Sequence, residues 1–425
     1  VFPQVRGSGV PQTEAAYQLE GGVIEGRVPL GKFITAVLCI GSGHSMGREG
    51  PSVQIGAGVA SFAGRWFRLS PRRVRDLVPV GAAGALAAAF NTPVAAVLFA
   101  LEEIIGDMNA ALLGSTVVAS VAAVVVERSI LGNEPLFHVP TYRLVHPAEL
   151  LAYAVLGLLG GLVSLLFCKA LLTLRAAVLN LPHRTRIFQP AVGGLLIGLL
   201  LVFWPAVMGV GYEYVDQALN GGLLLKTMAL LCFLKLGATI ISYASGNAGG
   251  IFAPSLYIGA MAGGVVGMTV HRLAPFPTGD PGAYALVGMG TLFAGIIRAP
   301  MTSVFMIFEI TQDYQILVPL MVANLLSFLI SRKYQPVPVY QALLRQDGVH
   351  LPSPLTSTST FIRSARHLML PDGAPFIPSD LSAEQAWRQT VDDQAPAYLV
   401  GTADHFLGIV THEQLAPWQS PGEAK

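Results

Sequence analysis

Two stretches of this chain share one design. They are Gly47-Arg48-Glu49-Gly50-Pro51-Ser52-Val53-Gln54-Ile55-Gly56 and Gly249-Gly250-Ile251-Phe252-Ala253-Pro254-Ser255-Leu256-Tyr257-Ile258-Gly259. In each, glycines precede a proline suited to the first helical turn, and then come Ser-x-x-Ile-Gly and an apolar run. A helix N-terminus offers unpaired backbone N–H groups and the positive end of the helix dipole, so it favours an anion. Two such starts at corresponding positions in two halves point to the binding site of a transporter.

Hydrophobic residues make up 53% of the chain and charged residues 12%, about half the charge usual in a soluble domain. Apolar stretches recur at 33–46, 77–101, 112–126, 150–172, 192–208, 223–243, 256–270, 284–297 and 316–330. Several are shorter than the ~20 residues that cross a bilayer at full thickness, so short, tilted or broken helices are expected. So many nearly uncharged runs fit an all-α polytopic membrane protein and exclude a large soluble core. The net charge of +1 gives no reason to expect nucleic acid. The basic groups Arg65–Arg75, His183–Arg186 and Arg332–Lys333 each follow an apolar run, which places these connections in the cytoplasm. Cys39, Cys168 and Cys232 all lie in apolar runs and read as small core residues, so no disulfide, metal or cofactor is expected. No secretory leader is apparent, and the chain opens at Val1 without an initiator methionine, so an N-terminal portion is expected to be missing.

The repeat extends past the paired motif. Pro51 aligns with Pro254 at an offset of 203, and the same offset matches Gly56, Ala60 and Gly64 with Gly259, Gly263 and Gly267. This small-xxx-small spacing lets membrane helices approach closely. At an offset of 207, Phe90-Asn91-Thr92-Pro93 and Glu102 match Ile297-Arg298-Ala299-Pro300 and Glu309. The halves are taken as 1–133 and 146–343, divided by a loop containing Pro135 and Pro140. Inverted repeats are the commoner arrangement for sites of this kind.

Three loops occur in order: Gly7-Ser8-Gly9-Val10-Pro11, Gly47-Arg48-Glu49-Gly50-Pro51 and Gly250-Ile251-Phe252-Ala253-Pro254. With the Phe-Asn-x-Pro segment and the late Tyr340, they make the chain resemble the CLC family of chloride channels and Cl⁻/H⁺ exchangers over roughly 7–343. The resemblance implies an inverted-repeat fold with broken helices and about three further helices before the first loop. It also implies a homodimer with one ion path per subunit, and chloride and protons as the transported species. The setting is a membrane, taken as the bacterial inner membrane with its lipid. Passive, voltage-gated chloride flow is the alternative to exchange.

The resemblance makes Ser8 and Tyr340 hydroxyl donors to a central anion, completed by the backbone N–H groups of Ile251 and Phe252. Neutral dipoles can replace the water of chloride without the trapping strength of a full charge. Glu49 becomes the gate and external proton glutamate, because a carboxylate beside helix N-termini can fill an anion position and leave it once protonated. Glu103 falls at the internal proton position, where family channels often carry an apolar residue. Glu102, with its repeat partner Glu309, reads as a capping or pairing residue. The alternatives are an N-cap for Ser8, an interfacial anchor for Tyr340, an ion pair with Arg48 for Glu49 and a solvated helix end for Glu103. Of the other charges in apolar runs, Lys235 reads as snorkelling or paired rather than lining a vestibule. Arg298 is a candidate partner of Glu309, and His44 reads as a packing residue.

Gly43-His44-Ser45-Met46-Gly47 also matches G-x-S-x-G, the nucleophile elbow of serine hydrolases. That motif needs a strand before the serine, whereas a long apolar run of helical character precedes Ser45. The chain is therefore read as a transporter and not an enzyme.

From about Leu344 the composition shifts. Residues 344–373 read as a linker and 374–425 as a small α/β module of strand, helix, strand, strand and helix. Its Leu407-Gly408-Ile409-Val410-Thr411 strand resembles a single CBS motif in a cytoplasmic tail. Such motifs work in pairs and sometimes hold an adenine nucleotide; a purely structural cap is the other reading.

Overall fold

Prolines mark the helix starts of this chain. The computed structural model describes residues 3–106, 110–132, 137, 139, 142, 144–351, 376–390, 397–402 and 405–415. They form two compact units, 1–351 and 352–425. The first half of the larger unit contains α1 (Val10–Gln18), α2 (Arg27–Gly41), α3 (Glu49–Trp66), α4 (Pro71–Phe90), α5 (Pro93–Phe99) and α6 (Ala110–Leu131). Two helices follow, α7 (Glu149–Leu179) and α8 (Gln189–Phe203). The second half contains α9 (Tyr212–Leu219), α10 (Leu225–Ala244), α11 (Phe252–Leu273), α12 (Pro281–Ile296), α13 (Pro300–Thr311) and α14 (Leu317–Tyr334), and α15 (Val339–Gln346) closes the unit. Proline stands in the first two positions of α1, α4, α5, α8, α12 and α13, where its fixed φ suits a helix and its missing N–H costs nothing.

The order α1 to α6 repeats as α9 to α14, and the same contacts recur in each half. A Cβ on Gly56 would lie 2.4 Å from the Gly81 carbonyl, and one on Gly259 would lie 2.3 Å from the Gly288 carbonyl. The small residues thus let α3 lie against α4 and α11 against α12 at backbone distance. Asn91 and Arg298, each two residues before the proline that opens α5 or α13, have positive φ values of 57° and 73°. Between the halves the contacts are reciprocal. Gly47 N donates to Gly250 O and Gly250 N to Gly47 O, both at 2.8 Å, in an antiparallel bridge. Glu102 accepts from Met301 N and Thr302 N at the start of α13, while Glu309 accepts from Val94 N and Ala95 N at the start of α5. The halves therefore run in opposite senses about a local two-fold, and α3 and α11 begin together at its centre.

By length and composition, five helices among the described residues can cross a membrane. Several others are shorter, such as α8, α12 and α13. The run 77–101, which reads as one span, is broken between α4 and α5 at Asn91-Thr92, where Asn91 is left-handed and Pro93 begins a new helix. α5 continues into one π-helical turn, Ala100–Ile105, ended by Gly106 at φ 75°. At the other end, 344–351 were expected to open the linker but belong to the larger unit. Leu344 is buried there, and Arg175 of α7 bonds Gln346 and Asp347, which holds the end of α15 in place. Most of the expected linker, 352–373, lies outside the described residues, as do Pro135 and Pro140.

The second unit contains β1 (Phe376–Ile377), α16 (Ala383–Thr390), β2 (Ala397–Thr402), β3 (His405–Thr411) and α17 (His412–Leu415). β1 runs parallel to β2 with Phe376 opposite Leu399, and β2 runs antiparallel to β3 with Tyr398 opposite Val410. Ile377, Ala386, Trp387, Tyr398 and Leu415 form its small core. This is the expected order of strands and helices.

Candidate functional site

The site is assembled around the loop before α1. Gly7 and Gly9 take φ values of 66° and 102°, which a side chain would strain. Buried Lys32 of α2 holds the loop by donating to the carbonyls of Gly7 at 2.7 Å and Val5 at 3.1 Å. Gly7 N donates to Asn247 O and Gly249 N to Gly7 O, which stitches the loop to the start of the α11 motif. Ser8 between them is fully buried, and its hydroxyl has no partner among the described residues. It is not a cap, since Gly9 occupies the N-cap position of α1. A Cβ on Gly50 would fall 2.2 Å from Ser8 Oγ, so the first turn of α3 lies directly on the serine.

α11 begins beside it. Ile251 and Phe252 are buried, and the helix has no side-chain cap, so its first N–H groups remain available to a ligand. Phe252 is fixed by Phe90, Phe99 and Phe293, with ring centroids 4.9, 5.8 and 4.4 Å away. Tyr340, in the first turn of α15, is fully buried and so is no interfacial anchor. Its hydroxyl also lacks a partner among the described residues; it faces Ser8 and lies within electrostatic reach of Glu103 and Glu49. Burying an unpaired hydroxyl is costly, and two such groups beside an open helix N-terminus suit a small anion.

Glu49, the first residue of α3, is fully buried. Its carboxylate lies beside Ala253 N–H in the first turn of α11 and accepts a 2.6 Å hydrogen bond from the hydroxyl of Tyr212. Arg48 turns away and donates to Ala89 O, so it does not pair with Glu49. Tyr212 was not singled out in the sequence, though Gly209-x-Gly211 before it repeats Gly7-x-Gly9 at an offset of 202.

On the π-helical turn, Glu102 and Glu103 part company. Glu102 caps α13, whereas Glu103 is only partly exposed and lies near Glu14 of α1 and Arg298. Glu14 is buried, with Gln18 and Gln341 donating to one carboxylate oxygen. Sequence reasoning missed it, because a single acid in a short helix carries no signal. Arg298 does not pair with Glu309; it donates to the carbonyls of Pro336 and Ser331. Lys235 is paired, with backbone carbonyls, and does not snorkel. It is fully buried, donates to Val207 O and Gly209 O, and lies over the Tyr257 ring. It is the counterpart of Lys32 at the offset of 203, and that register could have revealed Lys32 as well. His44 packs on Ser242. Ser45 is buried against Thr239 and follows helix α2, not a strand, which leaves no nucleophile elbow. A cavity of about 870 Å³ opens beside the Ser8 loop, lined by Gly7 and Tyr243 and by charges of both signs, Arg6, Arg175 and Arg186 with Glu20, Glu25 and Asp347.

Residues 1–332 match the family model described as voltage gated chloride channel. The chain belongs to this CLC family. It is 36% identical, over 78% of this chain and 79% of the relative, to a protein of Ralstonia nicotianae named for its likeness to the chloride channel protein ClcB. It is 32% identical to the H⁺/Cl⁻ exchange transporter ClcA of Vibrio campbellii, over 81% of this chain and 75% of that one. Among solved structures, a slow cyanobacterial Cl⁻/H⁺ antiporter superposes with a TM-score of 0.76 at 29% identity, covering 81% of this chain and 82% of the antiporter.

Proposed function

We propose that this chain is a chloride/proton antiporter of the CLC type. One observation carries the reading: a fully buried carboxylate, Glu49, lies at the N-terminus of α11, in the first turn of a helix packed on the unpartnered hydroxyl of Ser8. Ser8, Tyr340 and the N–H groups of Ile251 and Phe252 hold the central anion. Ionised, Glu49 competes with chloride for helix-terminal donors; protonated and neutral, it yields the position. Glu103, within electrostatic reach of Tyr340, passes protons on the other approach. An acid inside a membrane protein is costly; Glu102 and Glu309 are each satisfied by a helix end, whereas Glu103 caps none, and an acid kept there favours exchange over passive flow.

In this reading, 1–351 form the transport domain, two copies associate with one path each, and lipid covers outward apolar side chains such as Leu151 and Phe203. The chain lies in the bacterial inner membrane. Residues 352–373 link it to a CBS-like tail, 374–425, on the cytoplasmic side, where an adenine nucleotide is a candidate ligand.

Paired recording of chloride and pH in proteoliposomes under a chloride gradient tests the function. Protons driven uphill, opposite to chloride, are the expected result. Chloride flux without proton pumping overturns exchange in favour of a channel.

A further inference from the structure

We propose that the hydroxyl of Tyr212 is an anion donor of the transport path. It would bind the Glu49 carboxylate when that group is in place, and the chloride that replaces it when Glu49 leaves. The inference rests on the antiporter reading and adds a residue to it.

Tyr212 is the first residue of α9, the counterpart in the second half of α1. The loop before each helix has the same form. Gly209 and Gly211 have φ values of 49° and 75°, as Gly7 and Gly9 have 66° and 102°. A buried lysine grips the carbonyls of each loop, Lys235 in one and Lys32 in the other. In the first half this cradle presents the Ser8 hydroxyl. In the second half the residue matching Ser8 is Val210, which has no donor, and the hydroxyl comes instead from Tyr212, two residues on. Each cradle thus supplies one hydroxyl, and the second reaches Glu49 at 2.6 Å.

With Glu49 ionised, that oxygen–oxygen distance makes a charge-assisted hydrogen bond. The donor belongs to the cradle and not to Glu49. Phe137 packs edge-on against the Tyr212 ring at 5.2 Å between centroids, and a Cβ on Gly211 would lie 2.7 Å from the Tyr257 ring, so α9 starts in a fixed place. When Glu49 is neutral and swings out, a fixed O–H beside the N–H of Ala253 is left facing the position the carboxylate held. A halide can accept from both, whereas no alternative acceptor for Tyr212 appears among the described residues.

Chloride titration calorimetry on purified protein in detergent separates a donor to chloride from a mere latch on the carboxylate. The comparison is Glu49→Ala against the double variant E49A/Y212F, since neither contains the carboxylate. The phenylalanine keeps the ring contact with Phe137 and loses only the hydroxyl. Loss of one hydrogen bond to an anion should weaken chloride binding about ten- to a hundredfold in the double variant. Equal affinities in the two proteins overturn the inference while leaving the antiporter reading standing. A Glu49→Ala protein that binds no chloride overturns that reading and this inference with it. If Y212F does not fold, 3,5-difluorotyrosine at position 212 in the E49A background serves, titrated at an acid pH where the phenol stays protonated. Fluorination makes the phenol a stronger donor, so chloride should bind more tightly; unchanged or weaker binding overturns the inference.

Discussion

Glu49 and Phe252 occupy the same place in the two halves, at the offset of 203 that aligns Pro51 with Pro254. One is an acid hydrogen-bonded at the centre of the molecule; the other is a ring wedged among three phenylalanines. The same division runs through the whole unit. Positions that build the scaffold come in matched pairs: Lys32 and Lys235, Gly56 and Gly259, Gly81 and Gly288, Glu102 and Glu309. Positions offered here for ion chemistry do not match their counterparts: Ser8 faces Val210, Glu49 faces Phe252, and Glu103 faces Ile310. A two-fold scaffold places two helix starts at one centre, while a directional exchange needs different groups on its two approaches. Symmetry marks what holds the site, and its breaking marks what the site does.

The largest effects should come from the unmatched acids. Glu49→Gln should abolish proton coupling while chloride continues to flow, because the amide cannot carry a proton. Glu103→Gln should abolish proton movement and keep chloride flux, measured by the same paired recording. Phe252→Leu, at the position that corresponds to Glu49 in the other half, should leave coupling in place, since its ring is replaced and its backbone N–H kept. Uncoupling by Phe252→Leu, or intact coupling in both acid variants, would break the comparison.

The matched lysines come next. Removing either ammonium by substitution with methionine strands buried carbonyls, Val5 and Gly7 in one case and Val207 and Gly209 in the other. Each should cost about 3 kcal/mol of stability for the two charge-assisted bonds lost, seen as similar falls in thermal unfolding midpoint in detergent. Lys32→Met should also weaken chloride binding, since its loop carries Ser8. Stability losses that differ severalfold would show that the two cradles are not equivalent.

Much of this division is legible in the sequence. The two helix-start motifs and their register are local events, set by glycine and proline, and local chemistry reads directly from residue order; the break at Asn91-Thr92 was not read, because the run 77–101 is apolar on both sides of it. Glu102 was legible as a structural acid because its repeat partner is also an acid. Tyr212, Lys32 and Glu14 were not singled out, for a different reason. Each meets its partner through a tertiary contact, Tyr212 with Glu49 across 163 residues of chain, and no periodicity encodes that meeting. Arg298 illustrates the opposite error. Pairing charges by repeat position joined it to Glu309, yet Glu309 is already committed to the N–H groups of α5, and the nearest acceptors for the guanidinium are the carbonyls of α14 and the segment after it.

The smallest effect is also the most exacting test, because it separates two adjacent glutamates. Glu102 and Glu309 each hold the first N–H groups of a short helix in the opposite half, where a negative charge complements the helix dipole. Replacing either with glutamine keeps one acceptor oxygen but turns an NH₂ toward a helix N–H and removes the charge, a loss of about 1 kcal/mol. Glu102→Gln should cost somewhat more than Glu309→Gln, since Glu102 also accepts from the Thr302 hydroxyl at 2.7 Å. Neither should change the ratio of protons to chloride in paired recording, because neither carboxylate is free to move while it caps a helix. Glu103, one residue along and committed to no helix end, should behave in the opposite way, with its amide variant folding normally and moving no protons. If Glu102→Gln changed coupling as Glu103→Gln does, the two acids would act as one proton site and the line drawn between scaffold and chemistry would fail at its narrowest point.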